Sequence, residues 1–183
     1  TAISGATGVS AAATESNPAG TTFYAYAAVP TITQSVLPTT TLATGTQTVA
    51  KFSVASTGGE ISWKKLIFTV TRAISGTDTL ANAKLWDADT NTEIAGTATF
   101  TGSVEVDSDV AGGITFVATN EQQINGTKNY VLKLDIAGTI TDGDNLNVSI
   151  AQPSSYAASN DYATVAATTS SFTWSDMSAS SHS

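Results

Sequence analysis

The residues best equipped for chemistry are carboxylates, and they come in three short clusters. Asp87, Asp89, Asn91 and Glu93 alternate in "DADTNTE". Oxygen donors at every second position suit a hard divalent cation, and the run begins like a calcium loop. It then departs from one. An EF-hand needs Gly at its sixth position and a bidentate Glu at its twelfth, where this chain has Thr92 and Ala98. A polar turn between Trp86 and Ile94 is the plainer reading, and Asp87, Asp89 and Asn91 stay on the page only as candidates for a Ca2+. Glu105, Asp107 and Asp109, ahead of Gly112–Gly113, form a second acidic turn, and Asp142 with Asp144 a third. Paired carboxylates also serve glycosidases, but nothing in the sequence raises one of these into a pocket. His182 is the single histidine and sits in a Ser-rich stretch, without the partners that a triad or a zinc site requires. The expectation is a chain with no catalytic residues and no obligate cofactor.

Two other kinds of site are open to it. Trp63, Trp86 and Trp174 are potential stacking surfaces for sugars, although Trp in a β protein more often packs. Trp86 falls on the polar side of its strand and is the candidate for ligand contact. Asn125-Gly126-Thr127 and Asn147-Val148-Ser149 match the N-glycosylation pattern. Asn125 lies on a predicted turn and is the better acceptor.

What positions these residues is read from periodicity. Ala50, Phe52 and Val54 alternate with Lys51 and Ser53. Ala81, Ala83 and Leu85 oppose Asn82, Lys84 and Trp86. Phe100, Val104 and Val106 share a face with Gly102, and Ile114 and Phe116 flank Thr115. Tyr130, Leu132, Leu134 and Ile136 oppose Val131, Lys133 and Asp135, and Leu146, Val148 and Ile150 oppose Asn145, Asn147 and Ser149. Period two with one apolar face is the strand signature. Turn residues recur at short spacings, as at Gly58–Gly59, at Asn125–Gly126 between two strands and in "TDGDN". Strands without intervening helices imply antiparallel sheets. The fold class expected is all-β, an Ig-like antiparallel β-sandwich of about 7–9 strands with an extended N-terminal arm.

One strand breaks the rule. In "ISWKKLIFTVTR" the apolar phase changes sides at Lys64–Lys65: Ile61 and Trp63 share one face, Leu66, Phe68 and Val70 the other. A bulge, or a strand leaving one sheet for the other, produces such a flip. The two lysines are expected there with their stems on apolar surface and their ammonium groups in water.

Three segments follow. Residues 1–34 read as a flexible arm carrying a strand-forming, charge-free, aromatic segment, with Phe23, Tyr24, Tyr26, Val29 and Ile32 as its anchors. Residues 35–169 form the sandwich. Residues 170–183 are a Ser-rich strand or linker, read as truncated.

Composition narrows the function classes. The chain has 183 residues, 41% of them hydrophobic but only 12% charged, about half the usual share of charge. Thr, Ser, Ala and Gly fill the difference, a surface kept wet by hydroxyls, as in secreted and cell-surface β proteins. A net charge of −8 with seven Lys and Arg leaves no basic stripe for a phosphate backbone, so no nucleic-acid partner is expected. The absence of cysteine excludes disulfides and thiolate metal sites. The charge-free run between Glu15 and Lys51 is broken by Pro18, Pro30 and Pro38 and is no membrane span.

"ISWKKLIFTVT", "LWDADTNTEIAG" and "SSFTWSDMSASSHS" together resemble large surface proteins of candidate-phyla-radiation bacteria, from about Val36 to the end of the chain. The resemblance implies a cell-surface location and Ig-like architecture, and it carries over no activity. Three functions are therefore set side by side. The first is a structural subunit of an extracellular filament or surface layer, a homopolymer joined by donating the arm's strand to a neighbour's sheet edge. The second is a cell-surface adhesin or carbohydrate-binding module with glycans as partners. The third is an accessory domain of a larger enzyme.

Overall fold

The computed structural model of the chain describes residues 26–73, 78–106, 110–152, 155–156 and 172–177. Its strands are β1 (Val29–Gln34), β2 (Gly45–Thr57), β3 (Ile61–Ala73), β4 (Thr79–Asp87), β5 (Thr92–Glu93), β6 (Gly96–Thr101), β7 (Val110–Ile124), β8 (Thr127–Ala137), β9 (Asn145–Ser149), β10 (Ser155–Tyr156) and β11 (Phe172–Ser175). They form two sheets, packed face to face as a sandwich. The first has the order β1-β2-β8-β4-β5 and the second β10-β11-β3-β7-β6, with β9 also on β3. Every pairing is antiparallel except β10 with β11. The all-β sandwich read from period two is the fold observed. The sandwich takes in Val29–Gln34 and Phe172–Ser175, so it reaches beyond residues 35–169 on both sides.

The core follows from alternation. Phe52, Val54, Tyr130, Leu132 and Leu134 of the first sheet face Leu66, Phe68, Val70, Ile114 and Phe116 of the second, all nearly inaccessible. Aromatic rings join the layers. Phe52 meets Phe68 edge-on at 5.6 Å and stacks on Tyr130 at 5.5 Å. Trp63 meets Tyr130 edge-on at 5.6 Å and lies 6.1 Å from Phe172. Trp63 Nε1 donates to the Tyr130 hydroxyl at 3.2 Å, so the one polar atom of a buried indole is satisfied.

The flip in β3 is a bulge. The strand pairs with β7 on both sides of the break and so stays in one sheet. Trp63 faces Trp174 and Lys65 faces Thr173, leaving Lys64 without an opposite residue on β11. On the other flank the partner jumps from Gln122 to Val117 at the same point. The extra residue re-aims the strand, so Ile61 and Trp63 before it and Leu66, Phe68 and Val70 after it all point inward. One expectation fails: Lys65 is only 5% exposed, and that burial holds its pKa below the ordinary 10.5. Little of the residue reaches water, where the sequence suggested a solvated ammonium. Farther along β3, buried Arg72 lies 3.3 Å from the Asp78 carboxylate. It donates to the carbonyls of Val104 at 2.8 Å and Asp78 at 2.6 Å.

One turn follows its reading, and one strand stops short of it. Asn125–Gly126 joins β7 to β8, but these strands lie in opposite sheets, so the turn carries the chain between layers and closes no hairpin. β6 stops at Thr101 because Gly102 and Ser103 take positive φ of 73° and 56°. Val104 is then buried from a turn and Val106 is 59% exposed, so the two share no strand with Phe100.

Candidate functional site

The first sheet shows its outer face to solvent, and one aromatic ring stands on it. Trp86 (β4) is half-buried. The Lys133 ammonium (β8) sits 4.1 Å from the ring centroid, close enough for a cation–π attraction. Trp86 Nε1 is buried and has no hydrogen-bond partner, a cost that Trp63 avoids.

The polar neighbours of the ring come from three strands. β4 carries one extra residue between Ala81, which faces Asp135, and Lys84, which faces Lys133. Asn82 adopts φ of +51° there, a left-handed conformation that Asn tolerates better than most residues. The bulge brings Asn82 Nδ2 to the Asp135 carboxylate at 2.8 Å, and the Thr46 hydroxyl (β2) donates to the other oxygen of the same carboxylate. The Thr46 hydroxyl and the Asn82 amide hold the Asp135 pKa below its usual value. Lys84 and Lys133 oppose one another, an unfavourable pair that is relieved when Lys84 binds Glu93 at 3.0 Å. Thr46, Asn82, Lys84, Trp86, Lys133 and Asp135 line a shallow depression of about 470 Å³.

Such a surface offers an aromatic flank, a fixed anionic acceptor, an amide and two ammonium donors. It can hold a polar ligand with one apolar side. It offers no nucleophile–base pair and no pocket closed to water.

In the first and third acidic turns, carboxylates are occupied by local hydrogen bonds. Asp87 Oδ1 accepts the backbone N–H of Asp89 at 2.9 Å and of Thr90 at 3.0 Å. Asp89 accepts the Asn129 backbone N–H at 2.9 Å and its amide at 2.7 Å, which lowers its pKa. The Asn91 turn has φ of +53°. Asp144 accepts the backbone N–H of Thr141 at 2.6 Å. Among the described residues no group of three or more His, Asp or Glu side chains gathers as a metal site. Asn125 is exposed at its turn and Asn147 is exposed on β9, whereas Trp63 and Trp174 are buried. Of the arm's anchors, Tyr26 meets Trp174 edge-on at 5.2 Å, Ile32 is buried at 3% and Val29 is 41% exposed. Phe23, Tyr24, Asp107, Asp109 and His182 lie outside the described residues.

Sequence reading found Trp86 and missed its companions. Asn82 left no trace in the sequence; only the structure shows the slip, with Leu80 and Ala83 both buried three residues apart where an unbroken strand would space them by two. Thr46, Lys133 and Asp135 left none, because only strand register brings them beside Trp86.

No helix among the described residues is long and apolar enough to cross a membrane. No protein-family model matches the sequence, and no curated protein matches it either. Among solved structures, the chain is similar to the CBM3a-L domain, with flanking linkers, of scaffoldin cipA from the cellulosome of Clostridium thermocellum. The identity is 15% and the TM-score 0.35, over 67% of this chain and 76% of that one.

Proposed function

We propose that the chain is a non-catalytic extracellular module that binds carbohydrate on the outer face of its first sheet. One observation carries the reading: Trp86 stands beside a carboxylate that Asn82 and Thr46 hold in place, with Lys84 and Lys133 alongside. A sugar ring has C–H faces that pack on an indole and hydroxyls that need both donors and acceptors. The Lys133 ammonium swings from the ring to a sugar hydroxyl as the ligand lands. The hydroxyl-rich, charge-poor composition supports an extracellular setting.

A glycan array with wild type and Trp86→Ala tests this. Binding by wild type that the variant loses, with the variant's melting temperature nearly unchanged, is the expected result. Wild type that binds no glycan, or Trp86→Ala that binds as well as wild type, removes the proposal.

A further inference from the structure

The segment Tyr26–Gln34 lies in a seat that reads it almost entirely by its backbone. On one side β1 pairs with β2 from Val29↔Thr57 to Gln34↔Phe52. On the other side, among the described residues, a side chain stands in place of a strand. The Gln152 amide accepts the Ile32 N–H at 3.0 Å and donates to the Ile32 carbonyl, as a neighbouring peptide group would. Gln34 Nε2 donates to the Ile150 carbonyl at 3.0 Å. At the start of the segment the Ala27 N–H donates to Asp176 Oδ2 at 2.8 Å, and Tyr26 meets Trp174. Ala28 and Ile32 enter the core at 2% and 3% exposure. The seat is thus made by β2, which follows closely in the chain, and by Ile150, Gln152, Trp174 and Asp176, which lie far from the segment in sequence. It has the logic of β-augmentation, with main-chain bonds for affinity and alternate side chains in pockets.

What ties the segment to its own seat is a short link, held by the Ser35 N–H on the Lys51 carbonyl at 2.8 Å and by Leu42 against the core. Residues 35–44 connect β1 to β2 without forming a strand. Val36 is 86% exposed there, and Pro38 favours an extended course. A link of this length spans about 33–36 Å when stretched, at ~3.3–3.6 Å per residue, enough to reach a neighbouring molecule. Every contact of the segment is available again in an identical seat. Exchange therefore sets only the strain of the link and the local concentration of the strand against the concentration of other copies.

We propose that the occupant of this seat in assemblies is the Tyr26–Gln34 segment of a second copy of this chain, delivered by the opened 35–44 link. Passed head to tail, the contact is heterologous and builds an open fibre.

The absence of native cysteine makes the test clean. Thr31 and Ala55 face one another across β1 and β2. Thr31→Cys and Ala55→Cys are made in separate chains, mixed at high concentration and oxidised. Exchange places the two thiols side by side, and peptide mapping then finds a Thr31→Cys–Ala55→Cys disulfide between chains. Its yield should be at least tenfold above a control mixture with Thr99→Cys, which lies on the other sheet. The double variant Thr31→Cys/Ala55→Cys, oxidised when dilute, locks the strand in its own seat and should remain monomeric where wild type forms larger species. Yields equal to the control overturn the proposal, as does a wild type that stays monomeric at every concentration. So does a locked variant that assembles like wild type.

Discussion

β3 and β4 each carry one residue too many, and the insertion has opposite consequences. In β3 the extra residue is Lys64, the fourth of a 13-residue strand, with a paired strand on both edges. Core residues lie on both sides of it, so the bulge serves the interior: it turns Trp63 and Leu66 to the same side and leaves Lys65 buried beside it. In β4 the extra residue is Asn82, three residues after the strand begins. Its bulge serves the surface, turning an amide onto Asp135 beside Trp86. An insertion with a strand on both edges must keep a core in register. An insertion paired on one edge only, as at Asn82, is free to arrange exposed groups.

The largest expected effect tests the interior side of that contrast. Trp63→Ala removes a fully buried indole and leaves the Tyr130 hydroxyl without its partner. It should cost about 3–5 kcal/mol in urea unfolding, whereas Trp86→Ala, on a half-exposed face, should change stability by less than about 1 kcal/mol. Equal losses would erase the distinction between the two tryptophans.

The far end of β3 gives the next effect. Arg72→Met leaves Asp78 charged and buried alone, so a loss of about 3–5 kcal/mol is expected. Arg72→Met combined with Asp78→Ala should recover much of it. If the single variant unfolds like wild type, the pair contributes nothing to the interior.

A smaller change sharpens the surface side. Asn82→Ala keeps the left-handed backbone without a side chain suited to it and should cost about 1–2 kcal/mol. Asn82→Gly should cost less, because Gly takes that conformation freely. Both should weaken glycan binding, since Asp135 loses its amide partner in each. Thermal melts and binding curves on the two variants separate strain from recognition.

The smallest effects are in pH. Asp135 has a folded pKa below its ordinary value, so its contribution is present above the ordinary carboxylate range and fades as pH falls through the folded value. Lys65 also has a lowered folded pKa, but for a base this means that the folded state resists protonation. Stability should therefore rise with pH from the lowered value up to the ordinary 10.5. Urea midpoints against pH should lose their acid slope in part with Asp135→Asn and their alkaline slope with Lys65→Met. A slope unchanged by its own substitution refutes that assignment.

The layers of this molecule were legible because each strand buries one flank, as Phe52, Val54, Leu132 and Leu134 show. The β3 bulge was legible too, since large apolar residues mark both phases. The β4 bulge was not. Alanines at positions 81 and 83 fit either face, and only burial of Leu80 with Ala83 reveals the slip. Asn125–Gly126 is a turn in sequence and in structure, but which sheet the next strand joins depends on partners distant along the chain. The proposed binding face was hidden for the same reason: Trp86 declares itself within β4, while Asp135, Lys133 and Thr46 reach it only through register.

The Ala27–Asp176 bond has a mechanical consequence. It fastens the chain just before β1 to the chain just after β11, at the corner where Gly58, with φ of +96°, leaves no room for a Cβ against the Ala27 carbonyl, 2.6 Å away. A pull applied at Tyr26 and Met177 would load that corner first and then peel β1 from Thr57 and β11 from Ser62, rung by rung. Tension would pass through these two ladders, and through Phe172 to Trp63, while the Phe52–Phe68 contact between the sheets stayed slack.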